Sequence, residues 1–496
     1  MLKSTCPSSI LRNRISCNTR SSKQARHLHS GRPSSSQVIR KNPQDVFRAP
    51  LGKSVGVVGR TLRISALLIG ISLGSVYVGF EAYDQYIEHV ELAPPVHDPE
   101  AEKWEWDSEQ THWNGDSRKG GTDPGLGRKA RHLVRAASTA HTTPNFVADP
   151  MANGPFAALQ NPNMAVNAGY LQASGILEKA IALAEPREAA GKLHPETFTL
   201  LLTRHASYLE KLGPVAFSRA KARYEQLWER NGSAFAAWRL GELDIKTGNK
   251  DGALQWLTRA IQRAQGTEDA QIASLPPSPS NQRVLASALV SLSTFYASNA
   301  RLAEAAALQT TTLKLLPPQA EASASFPETL HYSTLAQRAS VLSLQHAEVL
   351  FAQGKKPEQC IRWLESAAES STTIVRLLAQ NDSLVLSPPY AESPYLQKSA
   401  QELFRDARRT VSEAWHLMGI LKEQAKNQKP SDILSCYEEA MKWVGKVDEN
   451  GNVMPDVVKK ADWQHLISRR DRLAKKLVTS PEGSEPATQR KRWFGF

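Results

Sequence analysis

Cysteine is scarce in this chain, and its spacing matches neither a disulfide framework nor a metal site. The 496 residues include Cys6, Cys17, Cys360 and Cys436, none of which has a partner at the short spacing of a zinc site. Each lies among residues with a helical pattern, where a free cysteine usually packs as a small apolar side chain. A disulfide among them is the alternative. We therefore expect no metal and no cofactor.

Catalytic motifs are also lacking. The chain has no H-E-x-x-H, no nucleophile elbow and no G-x-G-x-x-G after a strand. The glycine-rich run GGTDPGLGRK at residues 120–129 has neither the spacing of a P-loop nor a strand before it. An enzyme remains the alternative, because catalytic groups that come together from distant segments would leave no local motif. We expect a protein that is not an enzyme.

Positive charge is not in excess over most of the chain. The formal net charge is +12, but residues 1–63 contain 13 Lys and Arg against one acid, Asp45, so that basic and acidic residues balance over the rest. Binding to nucleic acid requires a basic surface on the folded part of a protein. We therefore expect no nucleic-acid partner.

The basic leader has the composition of a mitochondrial presequence. Residues 1–40 are rich in Arg and Ser, contain no acid and carry short apolar groups. Arg26, Leu28 and Gly31 match the positions of a two-step processing signal. We predict a presequence at residues 1–40 and a basic segment on the matrix side at residues 41–63. A disordered basic arm is the alternative.

Residues 64–80, ISALLIGISLGSVYVGF, form an apolar segment without a charge. A helix needs about 20 apolar residues to cross a bilayer, with roughly 17 as the minimum. Basic residues precede this segment, and 11 acids lie within residues 81–117. Because positive charge stays on the inner side, we predict one pass through the mitochondrial inner membrane, with the N-terminus in the matrix and the C-terminal domain in the intermembrane space. A buried core helix is the alternative.

Small residues recur every four positions in this segment, at Ala66, Gly70 and Gly74. Such a stripe lets a second membrane helix approach closely. Small residues are also common in membrane spans that contact no other helix. The stripe is therefore compatible with a helix–helix contact and equally with an isolated span.

Residues 81–165 are predicted to connect the membrane span to a folded domain. This connector is acidic, rich in Gly and contains Trp104, Trp106 and Trp113. The indole rings either pack against the folded domain, with a helix starting near Arg128, or lie at the membrane surface.

Helices joined by short turns are predicted for residues 166–478, and their sequences repeat. Residues 237–260 resemble a tetratricopeptide repeat, a helix-turn-helix unit of about 34 residues. A second copy has the same register, and weaker copies follow near Ala347 and Gly419. The positions that carry the resemblance in the two clear copies are Leu240, Gly241, Gly248, Ala253, Leu257 and Ala260, and Leu289, Leu292, Ser293, Tyr296, Ala305, Thr312 and Pro317. A helix within residues 456–477 would cap the array, and residues 479–496 are predicted to be a disordered tail.

These features predict an all-α fold in which a single N-terminal transmembrane helix is followed by a tetratricopeptide-like helical-repeat solenoid. The first helix of each repeat would line a groove that accepts peptides or partner helices. Packing between successive helices is the alternative role, in particular for Trp238 and Val290. The candidate groove residues are Phe235, Trp238, Glu242, Ile245, Ser287, Val290, Thr294 and Ala297.

The order of presequence, membrane span, tryptophan-rich connector and repeats resembles the fungal adaptor subunit of the i-AAA protease of the mitochondrial inner membrane. The resemblance implies a non-catalytic protein that binds unfolded or misassembled proteins and delivers them to that AAA protease. The implied partners are the protease, unfolded client proteins and the lipid bilayer. One alternative is a scaffold or assembly factor for an inner-membrane complex. Another is an import receptor of the outer membrane, against which the leader argues.

Overall fold

The computed structural model describes most of the chain, which divides into two units, Met1–Val78 and Gly79–Phe496. The described residues are 43–93, 98–106, 112–116, 119–142, 168–266, 274–317, 325–383, 394–425, 428–447, 453–457 and 460–479. The predicted presequence, the two N-terminal cysteines and the predicted tail beyond Thr479 lie outside these residues.

The described part of the first unit is helical and belongs to α1 (Pro43–Tyr86). A π-helical turn, Ile87–Glu91, continues α1. Leu62–Glu91, which covers the end of α1 and this turn, is the one helical stretch of the described chain that is long and apolar enough to cross a membrane. Its large apolar side chains, among them Leu68 and Val76, are exposed. The predicted span at residues 64–80 lies inside this helix. The helix extends beyond both ends of the predicted span.

The described residues of the second unit form helices and one hairpin of two short strands, so the prediction of an all-α fold is confirmed apart from that hairpin. The strands β1 (Gly445–Val447) and β2 (Val453–Pro455) are antiparallel. The helices are α2 (Pro99–Lys103), α3 (Gly127–Thr142), α4 (Ala168–Ala189), α5 (Pro195–Lys211), α6 (Phe217–Asn231), α7 (Ala234–Thr247), α8 (Lys250–Gln265), α9 (Pro279–Ser298), α10 (Leu302–Leu315), α11 (Phe326–Ala352), α12 (Pro357–Ser383), α13 (Pro394–Gln424), α14 (Pro430–Val444) and α15 (Lys460–Thr479).

From α3 onward, each helix contacts the next helix along the chain. The helices α7, α9, α11 and α13 also contact one another in succession, and we call these four the A helices. Each A helix is therefore paired with the helix that follows it and lies beside the next A helix.

Short turns with clear sequence signals set this pairing. Gly248 ends α7 in the left-handed conformation with φ of 79°, which a side chain would disfavour. Asn249 then caps α8, because its side-chain oxygen accepts a hydrogen bond from the Gly252 amide at 3.2 Å. A turn of two residues returns the chain at once, so α8 packs directly against α7.

A small residue lies where each A helix meets its partner. A Cβ atom built on Gly241 would lie 2.6 Å from Leu257 Cγ, and one built on Gly419 would lie 2.9 Å from the Tyr437 ring. In α9 the same position is Ser293, whose Oγ accepts a hydrogen bond from Gln309 Nε2 at 2.8 Å. In α11 the position is Ala347, which shares a core cluster with Leu364 of α12. Close approach at Gly241 and Gly419 excludes larger side chains at these two crossings.

The apolar core extends into the segment that was predicted to be a connector. Trp113, Leu126 and Val134 belong to the same cluster as α4 to α7. Helix α3 starts at Gly127, next to the predicted start near Arg128, and it packs on α4 because Ala130, Val134 and Ala137 share one face.

The C-terminal helix α15 packs on α14, as the predicted capping helix should. It begins at Lys460 rather than at residue 456, since residues 453–455 are extended and pair with β1. Trp463, Leu466 and Leu473 form its buried face.

Cys360 and Cys436 are buried and free. Both lie in one cluster of apolar side chains that joins α11 to α14. Burial raises the pKa of both thiols, so each remains protonated and packs as a small apolar group. The prediction for these two cysteines is confirmed.

Candidate protein-interaction surface

The A helices α7, α9 and α11 are joined by side-chain hydrogen bonds. Trp238 Nε1 of α7 donates to Ser291 Oγ of α9 at 3.1 Å, and Ser291 Oγ donates to Glu242 Oε1 at 3.2 Å. Gln345 Nε2 of α11 donates to Thr294 Oγ1 at 2.8 Å. Three of the predicted groove residues therefore take part in contacts between successive A helices.

The predicted groove residues differ in exposure. Phe235 is 37% exposed, and its ring lies 5.8 Å from the Trp238 ring. Val290 packs against the cluster that joins α9 to α11. The contacts of Trp238 and Val290 thus support packing between helices, whereas Phe235 and Thr294 are accessible. The other members are half-buried or buried: Ile245, Ser287 and Ala297.

Charged residues join α5, α6 and α7 next to these positions. Arg239 Nη1 donates to Glu242 Oε2 at 2.7 Å, and Arg239 also pairs with Glu210 of α5. Lys246 Nζ donates to the other Glu210 oxygen at 3.2 Å, and the Tyr224 hydroxyl donates to Glu210 at the same distance. Burial raises the pKa of Tyr224, so the hydroxyl keeps its proton. The network fixes Glu242 at the edge of the A helices.

Residues 98–106, which we call the docked segment, pack near the N-terminal ends of α9 and α11. Asp98 caps α2 by accepting a hydrogen bond from the Ala101 amide at 3.1 Å. Ala101 and Trp106 are buried in a cluster with side chains of α11, α12 and α13. Trp106 Nε1 donates to the carbonyl oxygen of Pro327 at 2.9 Å. The buried indole is therefore fully satisfied and anchors the segment.

The main chain of the docked segment is held by Arg283 of α9. Its guanidinium donates to the carbonyl oxygens of Trp104 at 3.1 Å and Glu105 at 3.0 Å. The same group lies 3.9 Å from the centre of the Trp106 ring, which is a cation–π contact. One arginine thus holds two successive peptide groups and the anchoring indole.

The Glu105 carboxylate caps the N-terminus of α9. It accepts hydrogen bonds from Ser278 Oγ at 2.5 Å and from the Ser280 amide at 3.0 Å. The helix dipole favours negative charge at this end. The docked segment therefore supplies a negative charge at the N-terminus of α9.

His331 of α11 completes the surroundings of the docked segment. Its Nδ1 lies 3.0 Å from Arg283 Nη1, and because a guanidinium only donates, Nδ1 accepts. Burial and the charge of Arg283 lower the pKa of His331 to about 3. Its neutral ring lies 5.0 Å from the Trp104 ring.

Trp106 and Trp113 are buried and Trp104 is half-buried, which confirms the prediction that these indoles pack against the folded domain.

Buried ion pairs join α3 to Asp84, in the last turn of α1, and to Glu88, just beyond the end of α1. Arg135 donates to Asp84 Oδ2 at 2.8 Å and to Glu88 Oε2 at 2.6 Å. Arg131 donates to Glu88 Oε1 at 2.7 Å, and the Thr122 amide donates to the same oxygen at 2.9 Å. Asp84, Glu88 and Arg135 are all buried.

The predicted helix-contact residues Ala66, Gly70 and Gly74 follow one another at four-residue intervals in α1. A Cβ atom built on Gly70 or Gly74 would meet no atom of the described chain within 4 Å. A contact with another membrane helix stays a prediction.

Sequence reasoning missed two features of this surface. The ion pairs between α1 and α3 had a signal, since Asp84 and Glu88, and likewise Arg131 and Arg135, are four residues apart and so share a helix face. The partners of the docked segment had no local sequence signal, because Arg283 and Pro327 are distant from it in the chain.

In comparisons with known proteins, no protein-family model matches this chain and no curated protein matches it.

Proposed function

We propose that the protein is a non-catalytic adaptor of the mitochondrial inner membrane, which binds unfolded or misassembled proteins through tetratricopeptide-like repeats and delivers them to an AAA protease. The docked segment is the observation that carries this proposal. It is a stretch of chain held by the helical array through one buried indole and through its main-chain carbonyl groups.

This binding mode suits unfolded proteins. Main-chain hydrogen bonds from Arg283 do not depend on the side chains of the bound segment, and a pocket for one aromatic ring requires only a single suitable residue. Unfolded chains expose both their peptide groups and their aromatic side chains, which folded proteins bury. An array that can hold its own chain in this way has the chemistry to hold others.

The recurrence of a small residue in successive helix pairs supports the assignment of tetratricopeptide-like repeats. Gly241, Ser293, Ala347 and Gly419 lie at equivalent crossings of an A helix with its partner. Repeats of this kind expose their first helices along one surface, where partners bind.

The apolar helix and the basic leader are the observations that support the proposed location. Leu62–Glu91 is long and apolar enough to cross a membrane, and the basic composition of residues 1–40 is typical of mitochondrial targeting. The change from basic to acidic flanks supports an orientation with the repeats in the intermembrane space.

A scaffold for an inner-membrane complex is the second candidate. The hydrogen bonds of Trp238, Glu242 and Thr294 tie the A helices together, which gives a preformed surface rather than an open groove. Such a surface suits a folded partner better than an extended chain.

The two functions are distinguished by affinity purification of the C-terminally tagged full chain from mitochondria in mild detergent, followed by mass spectrometry. The adaptor should recover an inner-membrane AAA protease with many clients in substoichiometric amounts. Recovery of one stoichiometric assembly without that protease would establish the scaffold and overturn the adaptor.

Two variants test whether clients contact the A helices. Phe235→Glu and Thr294→Arg place a charge on accessible positions, and we expect each to reduce client recovery about tenfold, equal to about 1.4 kcal/mol. Leu183→Glu on α4 is the matched control, because Leu183 is 42% exposed and Phe235 is 37% exposed. Equal loss in all three variants would argue against a specific surface.

A further inference from the structure

A cleft of about 300 Å³ in the second unit is lined by more positive than negative side chains. Lys119 is paired with Asp116 at 3.2 Å. The other charged residues that line the cleft are three cations, Arg204, Lys211 and Lys398, and a single acid, Glu91. Lys211 Nζ donates to the Tyr170 hydroxyl at 3.0 Å but has no carboxylate partner in the described chain. These cations come from α5 and α13, so the fold brings them together from distant parts of the chain.

Arg204 is the most informative member of this cleft. Its side chain is only 5% exposed, and its guanidinium lies 3.5 Å from the centre of the Trp113 ring. Within the described chain it has neither an ion pair nor a hydrogen bond. A buried charge without a counter-ion is costly, and proteins usually pair such a group. The unpaired guanidinium therefore indicates that the cleft is built for an anion.

The protonation of Arg204 is consistent with this role. Burial lowers the pKa of Arg204 to about 10, and the nearby Tyr208 acts in the opposite direction. The guanidinium is thus still charged at neutral pH. The neighbouring His112 has a lowered pKa through burial and the charge of Arg204, so its ring is neutral there and adds no further charge.

We propose that this cleft binds a phosphate group. Three cations against one acid match a phosphate better than a carboxylate, because a phosphate offers more negative charge and more acceptor oxygens. A volume of about 300 Å³ is at the lower end of the range for small-molecule pockets, which leaves room for the carbon atoms of a phosphate ester beside Leu92 and Trp113. This inference is independent of the adaptor function.

Two sources of phosphate fit the position of the cleft. One is inorganic phosphate. The other is a lipid headgroup, since the cleft is lined by Glu91, the last residue of the apolar helical stretch, and by Leu92 and Ala93, which follow it directly in sequence.

The test uses the full chain in maltoside micelles, which contain no phosphate. Calorimetric titration with inorganic phosphate and, separately, with short-chain phosphatidic acid should show one saturable site for at least one probe. Saturation by inorganic phosphate alone would assign the free anion, and tighter binding of phosphatidic acid would assign the headgroup. Equal binding of acetate, or no saturable binding of either phosphate probe, would overturn the proposal.

Paired variants make this test specific. Lys211→Met with Lys398→Met removes two exposed cations of the cleft and should weaken binding at least tenfold. Lys250→Met with Lys355→Met removes two exposed lysines that do not line the cleft and should leave binding unchanged. Equal weakening by both pairs would mean non-specific attraction and would overturn the site.

Arg204→Met separates a binding role from a structural one. Methionine can keep the contact with Trp113, so we expect binding to be lost while the melting temperature without ligand is unchanged or higher. A lower melting temperature with intact phosphate binding would make Arg204 purely structural and would overturn its assignment to the anion.

Discussion

His205 is a buried histidine that makes folding sensitive to acid. It lies on α5, is fully buried, and neither of its ring nitrogens has a hydrogen-bond partner in the described chain. Burial, together with the charges of Arg223 and Arg219, lowers the pKa of His205 to about 3. The folded protein therefore holds this ring neutral well below the pH at which a histidine in an unfolded chain takes up a proton.

The consequence is a loss of stability on acidification. With a folded pKa of about 3 and an ordinary pKa of 6.5, the contribution of His205 is fully present above about pH 6.5 and is lost as the pH falls toward 3. Between pH 7 and pH 5 the loss is about 2 kcal/mol. We expect the free energy of urea unfolding in micelles to decrease between pH 7 and pH 5 in both proteins. The decrease in His205→Leu should be smaller than in the wild type by about 2 kcal/mol.

The control for this prediction is His465→Leu, because His465 is exposed on α15. Its pH dependence should follow the wild type. A His205→Leu variant with an unchanged pH dependence would show that His205 does not resist protonation in the folded state.

At the residue scale, the sequence predicted which helix a side chain belongs to. It did not predict which side chains of other helices surround it. Helical spacing predicted that Trp238 and Glu242 lie on α7, and they do. Whether the Trp238 indole is open to a ligand depends on Ser291 of α9, which accepts its hydrogen bond. Periodicity within one helix cannot reveal a partner on another.

At the scale of elements, the connection of α1 to α3 depends on Arg135. Arg135 is 5% exposed and pairs with two buried carboxylates, Asp84 and Glu88. Removal of one partner of a buried ion pair typically costs about 3–5 kcal/mol. Glu88 would keep Arg131 and the Thr122 amide, and Asp84 would keep only His132 among the described residues, so we expect a cost near the lower end of that range. We expect Arg135→Met to release residues 84–92 from α3, with faster amide hydrogen exchange in that stretch.

An exposed ion pair between the same two helices is the matched control. Arg128 donates to Glu81 at 3.1 Å, but both side chains are exposed. Such pairs contribute roughly 0–1 kcal/mol because water screens them. Arg128→Met should leave exchange at residues 84–92 almost unchanged, and similar effects of the two variants would contradict the importance of burial.

Element boundaries were harder to predict than element types. The helix near Arg128 was expected, but its place in the core was not, because that depends on the packing of α3 against α4. The hairpin of β1 and β2 was missed, although Asn450 and Gly451 between the strands are a turn signal. The helical pattern on both sides outweighed two strands of three residues each.

At the scale of the whole molecule, the sequence predicted the apolar N-terminal helix and the helical domain after it because each has its own local signal. The apolar segment, the small residues at helix crossings and the capping glycines all act within one element or one turn. The docked segment and the cleft around Arg204 join parts of the chain that are far apart in sequence. No local pattern specifies such contacts, which is why both emerged only from the structure.

The last helix tests whether the array behaves as stacked repeats. Each repeat buries its neighbour's apolar face, so the final face needs a cap. Trp463, Leu466 and Leu473 of α15 pack against Tyr437 and other side chains of α14, so α15 would be that cap if the helix pairs are repeats. Burial of a large apolar side chain contributes about 1.5–3 kcal/mol, so three such side chains represent roughly 6 kcal/mol, a large share of the stability of an ordinary domain.

A chain that ends at residue 459 should therefore expose the α14 surface and lose stability locally. We expect rapid hydrogen exchange in α13 and α14, slow exchange retained in α5 to α8, and association in size-exclusion chromatography. A chain that ends at Thr479 keeps α15 and should match the full protein. If the shorter chain kept slow exchange in α14 and stayed monodisperse, α15 would not act as a cap. If exchange rose equally in α5 to α8, the array would unfold as one cooperative unit rather than as stacked repeats.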